Sequence, residues 1–325
     1  MTTRRQFITL LGGAAIWPVV AHAQQAKMPV VGFLNTGSRG SVGHLATAVR
    51  RGLAEVDLVE GRNVLVEERW AENQSDRLPV LAADLARRRV AVIVCNSTAA
   101  QAARRANTTT PIVFIAGDDP VRLGLVESLN RPGGNMTGVY VFSAALEAKR
   151  LGLLRDVVPR ATTMGVLIDP DYLTADTQSR DVQEAAARLG VQLVVLRAHS
   201  DEDIEAAFAT LVQQHAAALL VGASPFFNNK RDRLVALAAH HGLPAAYEWR
   251  EFAMVGGLLS YGNNILDVYR QVGVYAGRIL KGEMPTDLPV IQPTKFELVI
   301  NLKTAKALGL NISGDLLTLA DEVIE

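Results

Sequence analysis

Cysteine is nearly missing from this chain: Cys95 is the single one in 325 residues. One thiol cannot close an internal disulfide, so a disulfide-stapled scaffold is excluded. Histidine is sparse as well, six in all and never at ligand spacing, which removes a Cys/His zinc site. Neither sign of charge dominates, with 33 Lys+Arg against 33 Asp+Glu and no basic block, so an electrostatic nucleic-acid binder is excluded. Motifs of catalysis are lacking too. There is no GxSxG nucleophile elbow, no GxxxxGK[ST] loop and no HExxH, and the first strand is followed by NTGSRGSVG, which lacks the G-x-G-x-x-G dinucleotide fingerprint. Cys95 ends an apolar strand and reads as a small buried hydrophobe. No catalytic residue, metal or cofactor is expected.

What is present is the composition of a folded protein, 49% hydrophobic and 20% charged, long enough for two domains with a core each. Long apolar runs are limited to one, Gln6 to Gln25. It carries Gly12, Gly13, Pro18 and His22, and suits a cleaved leader better than a membrane helix. Arg4 and Arg5 supply a positive start, Phe7 to Val20 an apolar middle, and Ala21-His22-Ala23 a small-x-small site, so cleavage is expected after Ala23. The run TRRQFI is equally compatible with an ordinary secretory signal and with a twin-arginine one. Either route exports the protein, to the periplasm. No Cys follows the apolar segment to take a lipid.

From Pro29 onward, short β-branched runs alternate with segments whose apolar residues fall at helical spacing, the grammar of parallel sheets covered by helices. Strands are expected at Val30 to Leu34, Val64 to Arg69, Val90 to Cys95, Ile112 to Ala116 and Thr137 to Val141. RPGGNMTGV at 131 to 139 then punctuates the unit. The pattern resumes with strands near Gly165 to Ile168, Gln192 to Leu196, Ala218 to Val221 and Ala245 to Tyr247. Helices fit at Thr177 to Leu189, Asp203 to Gln214, Asn229 to His240 and Ile265 to Leu280. A last strand is expected at Phe296 to Leu302. The fold class is α/β, two doubly wound Rossmann-like lobes.

Open parallel sheets bind ligands outside the carboxyl ends of their strands, so two facing sheets make a cleft lined by those ends. The candidates there are Asn35 to Ser41, Trp70, Asn96 to Thr98, Asp118 and Asp119, Asp169, Ser224 to Phe226, and Tyr247 to Trp249. Among them, Gly37, Ser38, Asn96, Ser97, Thr98, Asp118, Asp119, Asp169, Pro225, Phe226, Tyr247 and Glu248 are the ligand-binding candidates. Asn96-Ser97-Thr98 opens a helix, with Thr98 and Gln101 at capping-box spacing. It either offers an anion site or simply caps the helix. Gly37 to Gly43 either cradles an anion or forms a permissive turn. Asp118 and Asp119 either hold a ligand amine or cap the segment after Pro120. Phe226, Tyr247 and Trp249 either stack on a ligand or belong to the core.

The runs EGRNVLVEERWAE at 60 to 72, PIVFIAGDDPV at 111 to 121, RPGGNMTGV at 131 to 139, REFAMVGGLLSYG at 250 to 262 and PTKFELVINLKTAKALGL at 293 to 310 resemble the substrate-binding proteins of ABC importers. The likeness is to the type I periplasmic family with tryptophan- and phenylalanine-binding members. It implies two lobes joined by a three-crossing hinge, here 29–140 plus 263–285 and 141–262 plus 286–325. It further implies a monomer that holds a small carboxylate or amino acid between the lobes, delivers it to an inner-membrane ABC permease and performs no chemistry. Asn96-Ser97-Thr98 matches the family's polar loop after the third strand, and Asp119 its Gly-Asp-Pro acid. Asp118 stands where a glycine is usual, and Ser224 where Asp often precedes the Pro-Phe pair. A ligand-sensing module for a membrane receptor and a secreted α/β enzyme are the competing function classes.

Overall fold

The computed structural model describes residues 28–106, 109–143 and 145–325. The expected leader and its cleavage site lie outside the described residues. No helix among the described residues is long and apolar enough to cross a membrane.

The first lobe is built on β1 (Val30–Asn35), β2 (Leu65–Trp70), β3 (Val92–Asn96), β4 (Ile112–Ala116) and β5 (Met136–Tyr140), with helices α1 (Arg39–Glu55), α2 (Leu78–Arg87) and α3 (Ser97–Ala106) between them. Its sheet runs β2-β1-β3-β4-β5, all parallel. Every residue of β3 and β4 is buried. Unbroken apolar strands such as Val92-Ile93-Val94-Cys95 are what a sheet covered on both faces requires.

The chain then builds α4 (Glu147–Val157), β6 (Thr163–Ile168), α5 (Ala175–Leu189), β7 (Gln192–Arg197), α6 (Asp201–Gln213), β8 (Leu219–Val221), α7 (Pro225–Asn229), α8 (Arg231–His240), β9 (Ala245–Tyr247), α9 (Arg250–Met254) and β10 (Leu259–Gly262). After α10 (Ile265–Leu280) come β11 (Glu297–Asn301), α11 (Leu302–Ala307), α12 (Gly314–Leu319) and β12 (Glu322–Ile324). The second sheet is ordered β12-β11-β10-β9-β8-β6-β7, parallel except where β10 meets β11. These are the two α/β units expected from the sequence. The helix expected over Asn229 to His240 is instead preceded by the short α7, because Ser224 caps the backbone N–H of Phe226 and Pro225 fits the first helical turn.

Although it follows β10, α10 packs on the first lobe. Gly52 of α1 and Gly273 of α10 let the two backbones touch: a Cβ at Gly273 would sit 2.2 Å from the Val49 carbonyl oxygen, and one at Gly52 1.9 Å from that of Arg270. Around this contact Val49, Leu53, Val268, Val272 and Ala276 join one buried core. Residues 288–291, placed in the second lobe by the sequence reading, run along β5 of the first. Tyr140 N donates to Ile291 O at 2.9 Å, Ile291 N to Gly138 O at 2.9 Å, and Thr137 Oγ1 to Leu288 O at 2.6 Å. The chain therefore passes between the sheets after β5, after β10 and after residue 291.

Candidate functional site

The loops after β1, β3 and β4 face those after β6, β8 and β9 across a cavity lined from both sheets. It offers about 490 Å³ of space, its open mouth included.

On the first-lobe side the strand ends are locked by short hydrogen bonds. Asn35 accepts the backbone N–H of Gly37 at 2.8 Å and donates through Nδ2 to the Tyr269 hydroxyl at 3.1 Å. Asn96 donates to Thr36 Oγ1 at 2.7 Å, while its Oδ1 is buried without a protein partner among the described residues. Ser97 ties the ends of β3 and β4 together, donating to Ile115 O at 3.0 Å and accepting from Gly117 N at 3.2 Å. The Tyr172 hydroxyl, on the loop after β6, packs against the end of β4 in the first lobe, where a Cβ at Gly117 would lie 2.5 Å from it, so this contact bridges the lobes. Burial pushes the Tyr172 hydroxyl pKa well up, keeping it neutral.

The second-lobe side carries the charge. Glu248, 5% exposed, accepts from the Ser143 hydroxyl and from Asn228 Nδ2 at 3.1 Å. Beneath it lies a fully buried ion pair, Glu147 and Arg150, at 3.7 Å. Arg150 also donates to Ser143 O at 2.7 Å and to Tyr261 O at 3.2 Å. Glu147 Oε1 accepts from Ala223 N at 2.8 Å. Burial raises Glu147 to about 7, opposed by the Arg150 charge and the Ala223 N–H. Trp249 is partly buried against the cores of both lobes and closes one side of the cavity.

Several candidates from the sequence meet here. Asn96, Ser97, Pro225 and Glu248 line the cavity, as do Asn35, Thr36, Ser224 and Trp249 from the strand-end set. Asp169 and Phe226 line a side chamber that shares Thr36, Tyr172, Pro225 and Asn229 with it. Asp169 accepts from the Ser224 hydroxyl and from Asp171 N, and burial raises its pKa. Gly37 abuts Asn229 across the lobes, where a Cβ would lie 2.4 Å from Asn229 Oδ1.

Other candidates are placed elsewhere. Ser38 caps α1 in a reciprocal pair with Ser41. The capping box expected between Thr98 and Gln101 does not form, because α3 already starts at Ser97 and Gln101 Nε2 donates to Leu123 O. Thr98 lines the side chamber and a groove between α2 and α3. Asp118 is paired with Arg122, and Asp119 accepts the N–H of Val121, capping the turn after Pro120. Neither aspartate lines the cavity. Tyr247 is a core residue, stacked on Phe252 at 4.6 Å. Cys95 is buried, which drives its thiol pKa up and leaves it a poor nucleophile. Among the described residues, no group of three His, Cys, Asp or Glu is placed to hold a metal ion.

Sequence reasoning missed Ser143, Tyr172, Asn228, Asn229 and Tyr269. Tyr172 and Ser143 sit on loops without periodicity, and Tyr269 reaches the cavity from a helix that arrives late in the chain. Asn228-Asn229, two residues past the Pro-Phe pair, was the one local signal available.

Residues 30–324 match the sequence profile of a family described as ABC transporter substrate binding protein. A tyrosine-binding protein of Clostridioides difficile (strain R20291) is 25% identical over 252 residues, covering 77% of this chain and 72% of that protein. The ABC domain in complex with L-Trp from Streptococcus pneumonia has a TM-score of 0.83 at 24% identity, over 92% of this chain and 100% of its own. The ligand-free, open structure of a substrate-binding protein with adhesive properties from Clostridium difficile has a TM-score of 0.66 at 23% identity, over 92% and 99%. The shared architecture is the two-lobed α/β fold of type I periplasmic binding proteins.

Proposed function

Because the chain belongs to the ABC transporter substrate-binding proteins, we propose that it is the extracytoplasmic solute-binding component of an importer. It is exported, processed after Ala23, captures an amino acid between its lobes as a monomer and hands it to an inner-membrane permease. The observation that carries this reading is the cavity itself. Tyr172, Trp249 and Tyr269 supply aromatic walls from both lobes, and buried polar groups converge between them. Such a mixture suits an aromatic amino acid better than a sugar, whose many hydroxyls need a denser set of charged and bidentate partners.

The ligand carboxylate is held at the head of α3, beside Asn96 and Ser97, where free backbone N–H groups and the helix dipole favour negative charge. Thr98 contributes its backbone there. A ligand that touches both lobes stabilises the closed arrangement, so a lobe of 29–140 plus 263–291 closes on one of 141–262 plus 292–325. The tyrosine-binding relative and the structure in complex with L-Trp support this choice of ligand class.

Native mass spectrometry of the mature protein tests the reading. We expect one equivalent of L-tyrosine or L-tryptophan to be retained and D-allose not to be. Retention of neutral sugars only would reject the amino-acid assignment.

A further inference from the structure

We infer that Glu248 is the counter-charge for a cationic group of the ligand, and that the cleft therefore selects solutes carrying a protonated amine. The inference deepens the reading of the cleft as an amino-acid site and rests on it. Among the residues lining the cavity, Glu248 is the only charged one. Its two protein partners, the Ser143 hydroxyl and the Asn228 amide, are neutral. A carboxylate offers about four acceptor directions, so two partners leave room for an ammonium group to donate.

Arg150, the buried cation nearby, interacts with Glu248 through space but forms no ion pair with it: it is paired with Glu147 and directs its other donors to the Ser143 and Tyr261 carbonyls. With Glu147 ionised the three groups sum to one negative charge, and whichever the state of Glu147, no cation among the described residues lies within ion-pair distance of Glu248. Burying an uncompensated charge is unfavourable, and a ligand ammonium removes the deficit where it occurs. The acids expected from the sequence are otherwise engaged: Asp118 with Arg122, Asp119 with the Val121 N–H, and Asp169 with Ser224 and Asp171 N. The amine role open to Asp118 or Asp119 from the sequence thus passes to Glu248.

Calorimetry on the mature chain tests this with L-tyrosine, tyramine and 3-(4-hydroxyphenyl)propionate as probes. The wild type is expected to bind the des-amino acid at least about 30-fold more weakly than L-tyrosine, as for loss of one partner of a buried charged hydrogen bond. Glu248→Gln should erase that difference by weakening L-tyrosine and tyramine alike while leaving the des-amino acid unchanged. Ser143→Ala, which removes a neutral partner and keeps the carboxylate, should retain the discrimination, and a thermal melt of each variant confirms folding. If Glu248→Gln misfolds, the ranking of the three probes on wild type and Ser143→Ala decides. Equal wild-type affinity for L-tyrosine and its des-amino analogue, or discrimination that survives Glu248→Gln, overturns the inference while leaving the cleft reading intact. Failure of all three probes to bind the wild type overturns both.

Discussion

Tyr172 and Gly117 meet across the cleft: the Tyr172 hydroxyl, from the loop after β6, lies where a Cβ at Gly117, after β4, would be 2.5 Å from it. Gly117 is tied into its own lobe by donating its N–H to Ser97 Oγ at 3.2 Å. The Tyr172 hydroxyl is therefore a contact between the lobes.

Removing it should loosen closure without disturbing either lobe. Tyr172→Phe, which deletes the buried hydroxyl at this contact, is expected to cost about 1 kcal/mol and so to weaken ligand binding about fivefold. Titration calorimetry reads the affinity, and small-angle scattering should show a larger radius of gyration than wild type. An unchanged affinity would mean that this contact does not hold the lobes together.

The contact between α1 and α10 is equally specific. At Gly273 an added methyl meets the Val49 backbone, which cannot rotate away as a side chain would. Gly273→Ala should cost about 1–3 kcal/mol by forcing the helices apart, lowering the urea midpoint at unchanged slope. Gly152→Ala is the control. It lies within α4 with nothing inside 4 Å of the new Cβ, and the gain in helix propensity should stabilise it by up to about 1 kcal/mol. Equal effects of the two would refute the close-approach explanation.

These two pairs mark the boundary of what the sequence discloses. The strands of the first sheet were legible because buried parallel strands such as Val92 to Cys95 are runs of apolar residues, and the strand order placed their ends at a cleft. Which residue of a strand end faces the cavity was not legible. Side chains alternate along a strand, so one step separates core from cleft. Tyr247 turns into the core while Glu248 lines the cavity, and Gly117 lines it while Asp118 turns to Arg122. Tyr172 is placed by a non-periodic turn, its N–H donating to Asp169 O, and no sequence pattern marks that turn as facing the cleft.

The buried Glu147 makes stability depend on pH. Burial raises its folded-state pKa to about 7 from an ordinary 4.5, against the opposing Arg150 charge and Ala223 N–H, with Glu248 and Asp181 adding like charge. A raised acid binds its proton more tightly when folded, so this contribution is complete below about 4.5 and lost as pH rises through about 7. Its full size is on the order of 3 kcal/mol. Melting temperature measured from pH 7.5 down to 5 should therefore gain more in wild type than in Glu147→Gln, which carries no titrating proton. Parallel curves for the two would contradict the assignment.

The central claim is that an amino acid lies between the lobes, and Trp249 reports on it directly. The sequence has three tryptophans, and Trp17 belongs to the expected leader, so Trp70→Phe leaves Trp249 as the single indole of the mature chain. Trp249 lines the cavity and touches the cores of both lobes. Its emission, excited at 295 nm and titrated with L-tyrosine, should shift in a saturable way at one ligand per chain, with the dissociation constant found by calorimetry. Binding seen by calorimetry with no change in Trp249 emission would place the ligand outside the cleft and contradict the proposed site.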